Sequence, residues 1–272
     1  MLTDAAIQQM ADELARVPGV VGVVLGGSRA RGTHLPTSDV DLGVYYNDGL
    51  DLPALRALAA RCSTSQVEIG FPGSWGPWVD TGGWLTVDAT PVDWILRDLA
   101  RVRKQWARAQ RGRYRFHPQA GHPLGFLDVS YAGELASGRV LTDPSGVLAP
   151  LREQTLAYPP ALADALVSAL WEASFLLGCA RKGVERRDTA YVAICLARAL
   201  MLTAHGFHAR AGAWALNEKD LIPNVARLDI ESRGFSRRAA DALSHLGTSE
   251  PLLTRAIDAV SGVVDDSAEL IG

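Results

Sequence analysis

Two short segments near the N-terminus constrain this chain most. Val20-Val21-Gly22-Val23-Val24-Leu25 is a nearly continuous apolar run rich in β-branched residues, and it leads directly into Gly26-Gly27-Ser28. Such a run reads as a strand buried on both faces, followed by a turn whose glycines let the backbone approach a ligand closely. Ten residues separate Ser28 from Asp39, which opens Asp39-Val40-Asp41-Leu42. In a strand, residues two apart point to the same face. Asp39 and Asp41 are therefore expected to project side by side while Val40 and Leu42 anchor the opposite face. Like charges held this close are costly without a cation between them. Hard oxygen ligands on a rigid strand are what Mg2+ requires. Asp93, in Pro-Val-Asp-Trp-Ile-Leu, is again a carboxylate between apolar residues, and a neighbouring strand could bring it to the pair.

The rest of the first half reads as alternating elements. Residues 5–16 carry Ile7, Met10, Ala11 and Leu14 at helical spacing, and residues 52–62 carry Leu52, Leu55, Leu58 and Ala59. Arg29-Ala30-Arg31 reads as a short helix stopping at Gly32. Asp39 to Tyr46, Gln66 to Phe71, Trp84 to Val87 and Pro91 to Leu96 read as strands, the last two joined through Asp88-Ala89-Thr90. Residues 97–110 begin a basic helix, and its run of Arg97, Arg101, Arg103 and Lys104 reads as a solvated face. Beyond residue 145 only helical periodicity is found, over 161–182, 188–205, 236–247 and 250–264. The expected fold is an α/β (α+β) domain over 1–150, built on a small mixed sheet, followed by an all-α helical-bundle domain over 151–272.

Gly26-Gly27-Ser28 offers backbone amides and a hydroxyl to an anion, and Arg29 and Arg31 add charge beside it. A phosphate cradle next to a carboxylate metal site describes phosphoryl or nucleotidyl transfer. The metal would bridge carboxylates and triphosphate, and Asp93, or a nearby carboxylate such as Glu68 or Asp88, would take the proton from an acceptor hydroxyl.

Composition narrows the partners. With 27 Lys and Arg against 30 Asp and Glu, the net charge is −3, without the basic excess of a dedicated nucleic-acid binder. The acidic balance suits a cationic small molecule. Residues 1–18 hold Asp4, Asp12, Glu13 and Arg16, so no export signal is read there, and the apolar run 189–204 is broken by Arg198 and is too short to span a bilayer. A cytoplasmic protein with no membrane partner is expected. Cys62, Cys179 and Cys195 are far apart in apolar contexts and read as buried free thiols.

The whole pattern, Leu-Gly-Gly-Ser-Arg-Ala-Arg-Gly followed by Ser-Asp-Val-Asp-Leu-Gly, resembles the DNA polymerase β-like nucleotidyltransferase superfamily over roughly residues 20–96. That resemblance implies metal binding by Asp39, Asp41 and Asp93, with catalysis by the same three, and nucleotide binding by Gly27, Ser28, Arg29 and Ser38. In layout the chain looks like the aminoglycoside adenylyltransferases that modify streptomycin and spectinomycin, enzymes of antibiotic resistance. This second resemblance implies ATP as the AMP donor, Lys219 as a triphosphate contact and Asp188 as a substrate contact. The base in those enzymes is a glutamate, where this chain has Asp93. Two other readings fit the same residues: a protein- or tRNA-modifying nucleotidyltransferase of the toxin–antitoxin kind, and a nucleotide-binding module without catalysis.

Overall fold

The computed structural model describes residues 2–272. The chain forms two compact units. The first comprises Met1–Arg108, Arg115–Gly121 and Gly125–Ala157, and the second comprises Ala109–Tyr114, His122–Leu124 and Tyr158–Gly272. A single cut near residue 150 does not describe them, because short stretches between 109 and 124 pack with the second unit.

The first unit runs α1 (Asp4–Leu14), β1 (Val20–Leu25), α2 (Gly27–Ala30), β2 (Val40–Tyr46), α3 (Leu52–Cys62), β3 (Gly82–Val87), β4 (Thr90–Asp98), α4 (Leu99–Ala109), β5 (Phe116–Gln119), β6 (His122–Leu127), α5 (Ser130–Ser137), β7 (Arg139–Thr142) and α6 (Leu148–Leu156), the end of α4 and the start of β6 belonging to the second. Five strands form a mixed sheet in the order β3-β4-β2-β1-β7; β2 and β4 are parallel and the other pairs antiparallel. One face of this sheet carries Val23, Leu25, Val40, Leu42, Val44, Leu85, Val92, Trp94 and Leu96, which share a core with Ile7, Met10, Leu14, Leu55 and Leu58 of α1 and α3. Alternation then sends Asp41, Gly43, Tyr45, Asp93, Ile95 and Arg97 to the other face.

That second face differs along its length. At the C-terminal end of β2 and β4, Tyr45 and Arg97 are buried, and Arg97 donates to both carboxylate oxygens of Glu134 on α5, at 2.6 and 2.9 Å. The Arg97 guanidinium also lies 5.2 Å from the Tyr131 ring centre. At the N-terminal end the two aspartates are only half-buried.

The second unit is helical: α7 (Pro160–Ser168), α8 (Trp171–Arg181), α9 (Thr189–Arg210), α10 (Leu221–Asn224), α11 (Phe235–Ser244) and α12 (Glu250–Ile271). Its core gathers Leu177, Leu196, Leu200, Phe207, Phe235, Ile257 and Val260. By length and composition α9 could cross a membrane, but 61 % of its most apolar window is buried within the protein. It extends to Arg210, beyond the apolar run 189–204.

The structure corrects several local expectations. Gln66–Phe71 forms no strand; it is held instead by burial of Ile69, whose carbonyl accepts from Arg56 Nε at 2.8 Å. The helix expected over 161–182 breaks at Ala169-Leu170 into α7 and α8. The basic run is not one solvated face: Arg97 ends buried in β4, and Arg101 donates to the Pro77 carbonyl with its guanidinium over Trp78. Only Arg103 and Lys104 of the four are exposed. The cysteines are free, but Cys195 alone is buried, with Cys62 and Cys179 half-buried.

Candidate active site

β2 and β4 run parallel with Asp41 in register with Asp93. Directly paired residues project from the same side of a sheet, so the two carboxylates rise together from adjacent strands. Asp39 lies just before the first residue of β2 rather than within the strand. Its carboxylate still reaches the others: one oxygen from each of Asp39, Asp41 and Asp93 lies within 4.8 Å of the other two. Val40, Leu42, Val92 and Trp94, fully buried between them in sequence, fix the backbone that presents these oxygens.

The loop after β1 closes the site from the side. Gly26 N–H donates to the Asp41 carbonyl at 2.8 Å, which pins the start of α2 to the carboxylate strand. Gly27 has φ +60°, and a β-carbon there would fall 1.7 Å from Oδ2 of Asp41. Both the left-handed conformation and the close approach demand glycine. The amides of Gly27, Ser28 and Arg29 begin a helical turn, where no intrahelical acceptor exists. Arg29 reaches back, its Nε donating to the Asp39 carbonyl at 3.2 Å, while its Nη2 is buried without a hydrogen-bond partner among the described residues. Ser38 shapes the turn before Asp39, its Oγ accepting from Leu35 N–H at 2.9 Å.

The electrostatics agree with a cation site. Burial, then the charges of Asp41 and Asp39, raise the Asp93 carboxyl to about 6. A carboxylate cluster whose mutual repulsion raises the pKa of one member fits a divalent ion: its donors are all hard oxygens, and an orphaned guanidinium nitrogen stands on its flank. Asp39, Asp41 and Asp93 would hold the ion, with Arg29 Nη2 and the Gly27–Arg29 amides free to take phosphate oxygens.

The other sequence candidates have local surroundings of their own. Asp188 caps α9, its Oδ1 accepting from Tyr191 N–H at 3.0 Å, and Lys219 is exposed in the second unit. Asp88 sits in the two-residue turn of the β3–β4 hairpin, where it and Ala89 both have positive φ, and Glu68 is exposed. What sequence reasoning missed is the brace between the two halves of the motif: Gly26 to Asp41 and Arg29 to Asp39. The fixed spacing was a signal of that brace, but not of which atoms make it.

Residues 7–105, which contain every member of this cluster, match the nucleotidyltransferase domain family. No curated protein matches the chain. Among solved structures, the chain is similar to a nucleotidyltransferase-like protein from Exiguobacterium sibiricum 255-15, at 12 % identity and a TM-score of 0.47, over 96 % of this chain and 75 % of that one.

Proposed function

We propose that this nucleotidyltransferase uses Mg2+ to move AMP from ATP onto a hydroxyl of a small cationic molecule of the aminoglycoside type. The observation that carries the reading is the convergence of Asp39, Asp41 and Asp93 within 4.8 Å beside a loop that only glycine can form. Bound Mg2+ would neutralise triphosphate charge and polarise the α-phosphorus oxygens. The amides of Gly27 and Ser28, with Arg29 Nη2, orient the triphosphate. Asp93, in register with Asp41 on the neighbouring strand, is the carboxylate assigned to take the acceptor's proton. Attack by the acceptor oxygen at the α-phosphorus forms the new P–O bond as the bond to pyrophosphate breaks. The acidic balance of the chain, net charge −3, suits a positively charged acceptor, and the resemblance of the layout to aminoglycoside adenylyltransferases points the same way. By that resemblance Lys219 is assigned to triphosphate and Asp188 to the acceptor. A reaction of this kind, drawing on ATP, would run in the cytoplasm and would confer antibiotic resistance.

The test is incubation with Mg2+, each of four α-labelled nucleotides, and a panel of aminoglycosides, tRNA and proteins. The expected product is an aminoglycoside heavier by one AMP, with release of pyrophosphate. Label appearing only on tRNA or protein, or nucleotide bound and returned unchanged, would overturn the assignment.

A further inference from the structure

The catalytic face does not end at Asp93. β3 lies on the far side of β4 from β2, and Trp84 of β3 is in register with Asp93. Cross-strand partners share a face, so the Trp84 indole stands on the same side of the sheet as the carboxylates, one strand spacing, about 4.8 Å, further out. It is 65 % exposed. A lone exposed aromatic needs no explanation, but this one is built in. Trp75 stacks on it with ring centres 4.4 Å apart and planes 14° from parallel. Trp75 occupies the space above Gly82, where a β-carbon would lie 3.0 Å from its Cζ3. The loop carrying Trp75 is tied down in turn. Trp75 N–H donates to the Asp80 carbonyl at 2.9 Å and Gln119 Nε2 donates to the Trp75 carbonyl at 2.7 Å. Buried Asp80 accepts from Gly73 N–H and from the Tyr46 hydroxyl, both at 2.7 Å. One indole face is thus backed by a second ring on a braced loop, and the other is open.

The order across the sheet says what that open face meets. From β1 outward come the Gly27–Arg29 loop, then Asp41, then Asp93, then Trp84. In-line transfer sets leaving group and acceptor on opposite sides of the phosphorus. With triphosphate at the loop and the base at Asp93, the body of the acceptor lies beyond Asp93, over Trp84. The geometry points to Trp84, backed by Trp75, as the acceptor platform: it stacks on a flat ring that carries, or adjoins, the reacting hydroxyl. The acceptor is therefore cyclic, whether a saturated aminocyclitol or sugar or an aromatic ring. This rests on the transfer reading above for its orientation.

The experiment uses the full chain with Mg2+ and α,β-methylene-ATP, which cannot be cleaved between the α- and β-phosphorus. Tryptophan emission is followed during titration with 2-deoxystreptamine (a saturated ring), tyramine (an aromatic ring) and 1,3-diamino-2-propanol (an open chain). One of the two rings should quench and bind at least about tenfold more tightly than the open chain, and which one does so identifies the ring type. Trp84→Ala should lose about tenfold of that affinity, Trp84→Phe should keep most of it, and the affinity for the nucleotide analogue should stay within about twofold in both. Equal binding of ring and open chain, or ring binding indifferent to Trp84, overturns the platform. So does Trp84→Ala weakening the nucleotide instead, which would put the indole under the base. Asp41→Asn separates the two readings: ring binding that depends on Trp84 should persist there although transfer is lost. Trp84-dependent ring binding in a wild-type protein that transfers nothing sinks the transfer reading alone, and active transfer with Trp84-independent binding sinks the platform alone.

Discussion

Oδ2 of Asp41 occupies the space where a side chain on Gly27 would begin: a β-carbon there would lie 1.7 Å away. The loop and the carboxylate strand are thus one construction, and a methyl group at Gly27 must push Asp41 off its partners. Gly27→Ala should lower transfer by about a hundredfold, the size of effect that a displacement near 1 Å produces. The thermal midpoint should fall only slightly, because α2 is short and no residue in it is buried. Steady-state kinetics with ATP, beside a melting curve, checks both; full activity would mean that Asp41 need not stay where it is.

Replacing a like-charged member of the cluster separates stability from chemistry. Asp41→Asn relieves repulsion in the metal-free protein, so its melting temperature should stay level or rise. The rise that millimolar Mg2+ gives the wild type should vanish, and transfer should be lost. A variant that still transferred AMP would remove the metal mechanism altogether.

Asp93 gives a pH signature with a definite sign. Its carboxyl is raised from 3.8 to about 6, so the folded metal-free protein binds this proton more tightly than the unfolded chain. The associated stability is present below pH 4 and is lost as pH rises through 6. The melting-temperature difference between wild type and Asp93→Asn isolates it, since the asparagine does not titrate: relative to the variant, the wild type should weaken between pH 4 and 6. Mg2+ must displace the same proton, so its affinity should fall about tenfold per pH unit below 6. Isothermal titration at three pH values measures this, and a flat profile would deny Asp93 a place among the ligands.

How far the sequence carried depended on how local each signal was. β1 and β2 were legible because Val20–Leu25 and Val40–Tyr46 advertise burial through side-chain chemistry alone. The Asp39–Asp41–Asp93 cluster was legible because period-two alternation needs no tertiary information. Asp39 nevertheless precedes its strand, and Gln66–Phe71 pairs with nothing, because ladder ends are decided by partners far along the chain. β5, α5, β7 and α6 escaped for the same reason: β7 is a four-residue strand whose place is set by β1, more than a hundred positions earlier. The basic residues mislead most, since charge suggests solvent. Arg97 is buried only because Glu134 and Tyr131 come to meet it from α5.

Asp188 has a structural role whatever else it does, because it caps the 22-residue α9. Alanine there should cost about 1 kcal/mol of stability, whereas asparagine caps nearly as well and should cost little. Asp188→Asn therefore leaves the helix intact and removes the charge. Under the proposed assignment to a cationic acceptor, it should raise acceptor KM while leaving kcat and the melting temperature in place. An unchanged acceptor KM would reduce Asp188 to its cap.

The Arg97–Glu134 pair, at the far end of the sheet face that carries Asp41 and Asp93, should matter to folding more than to chemistry. The Arg97 side chain is 8 % exposed and that of Glu134 26 % exposed, with the two bonded through both carboxylate oxygens. Removing one partner leaves a charge buried without compensation, which costs about 3 kcal/mol. Glu134→Gln should therefore destabilise the chain strongly, because Arg97 cannot shed its proton. Arg97→Met with Glu134→Leu removes both charges and should recover much of the loss, since an apolar pair of similar volume carries no desolvation penalty. Urea unfolding of the two variants decides the matter. A double variant no more stable than Glu134→Gln would show that the ion pair itself, and not the avoidance of a lone charge, holds β4 to α5.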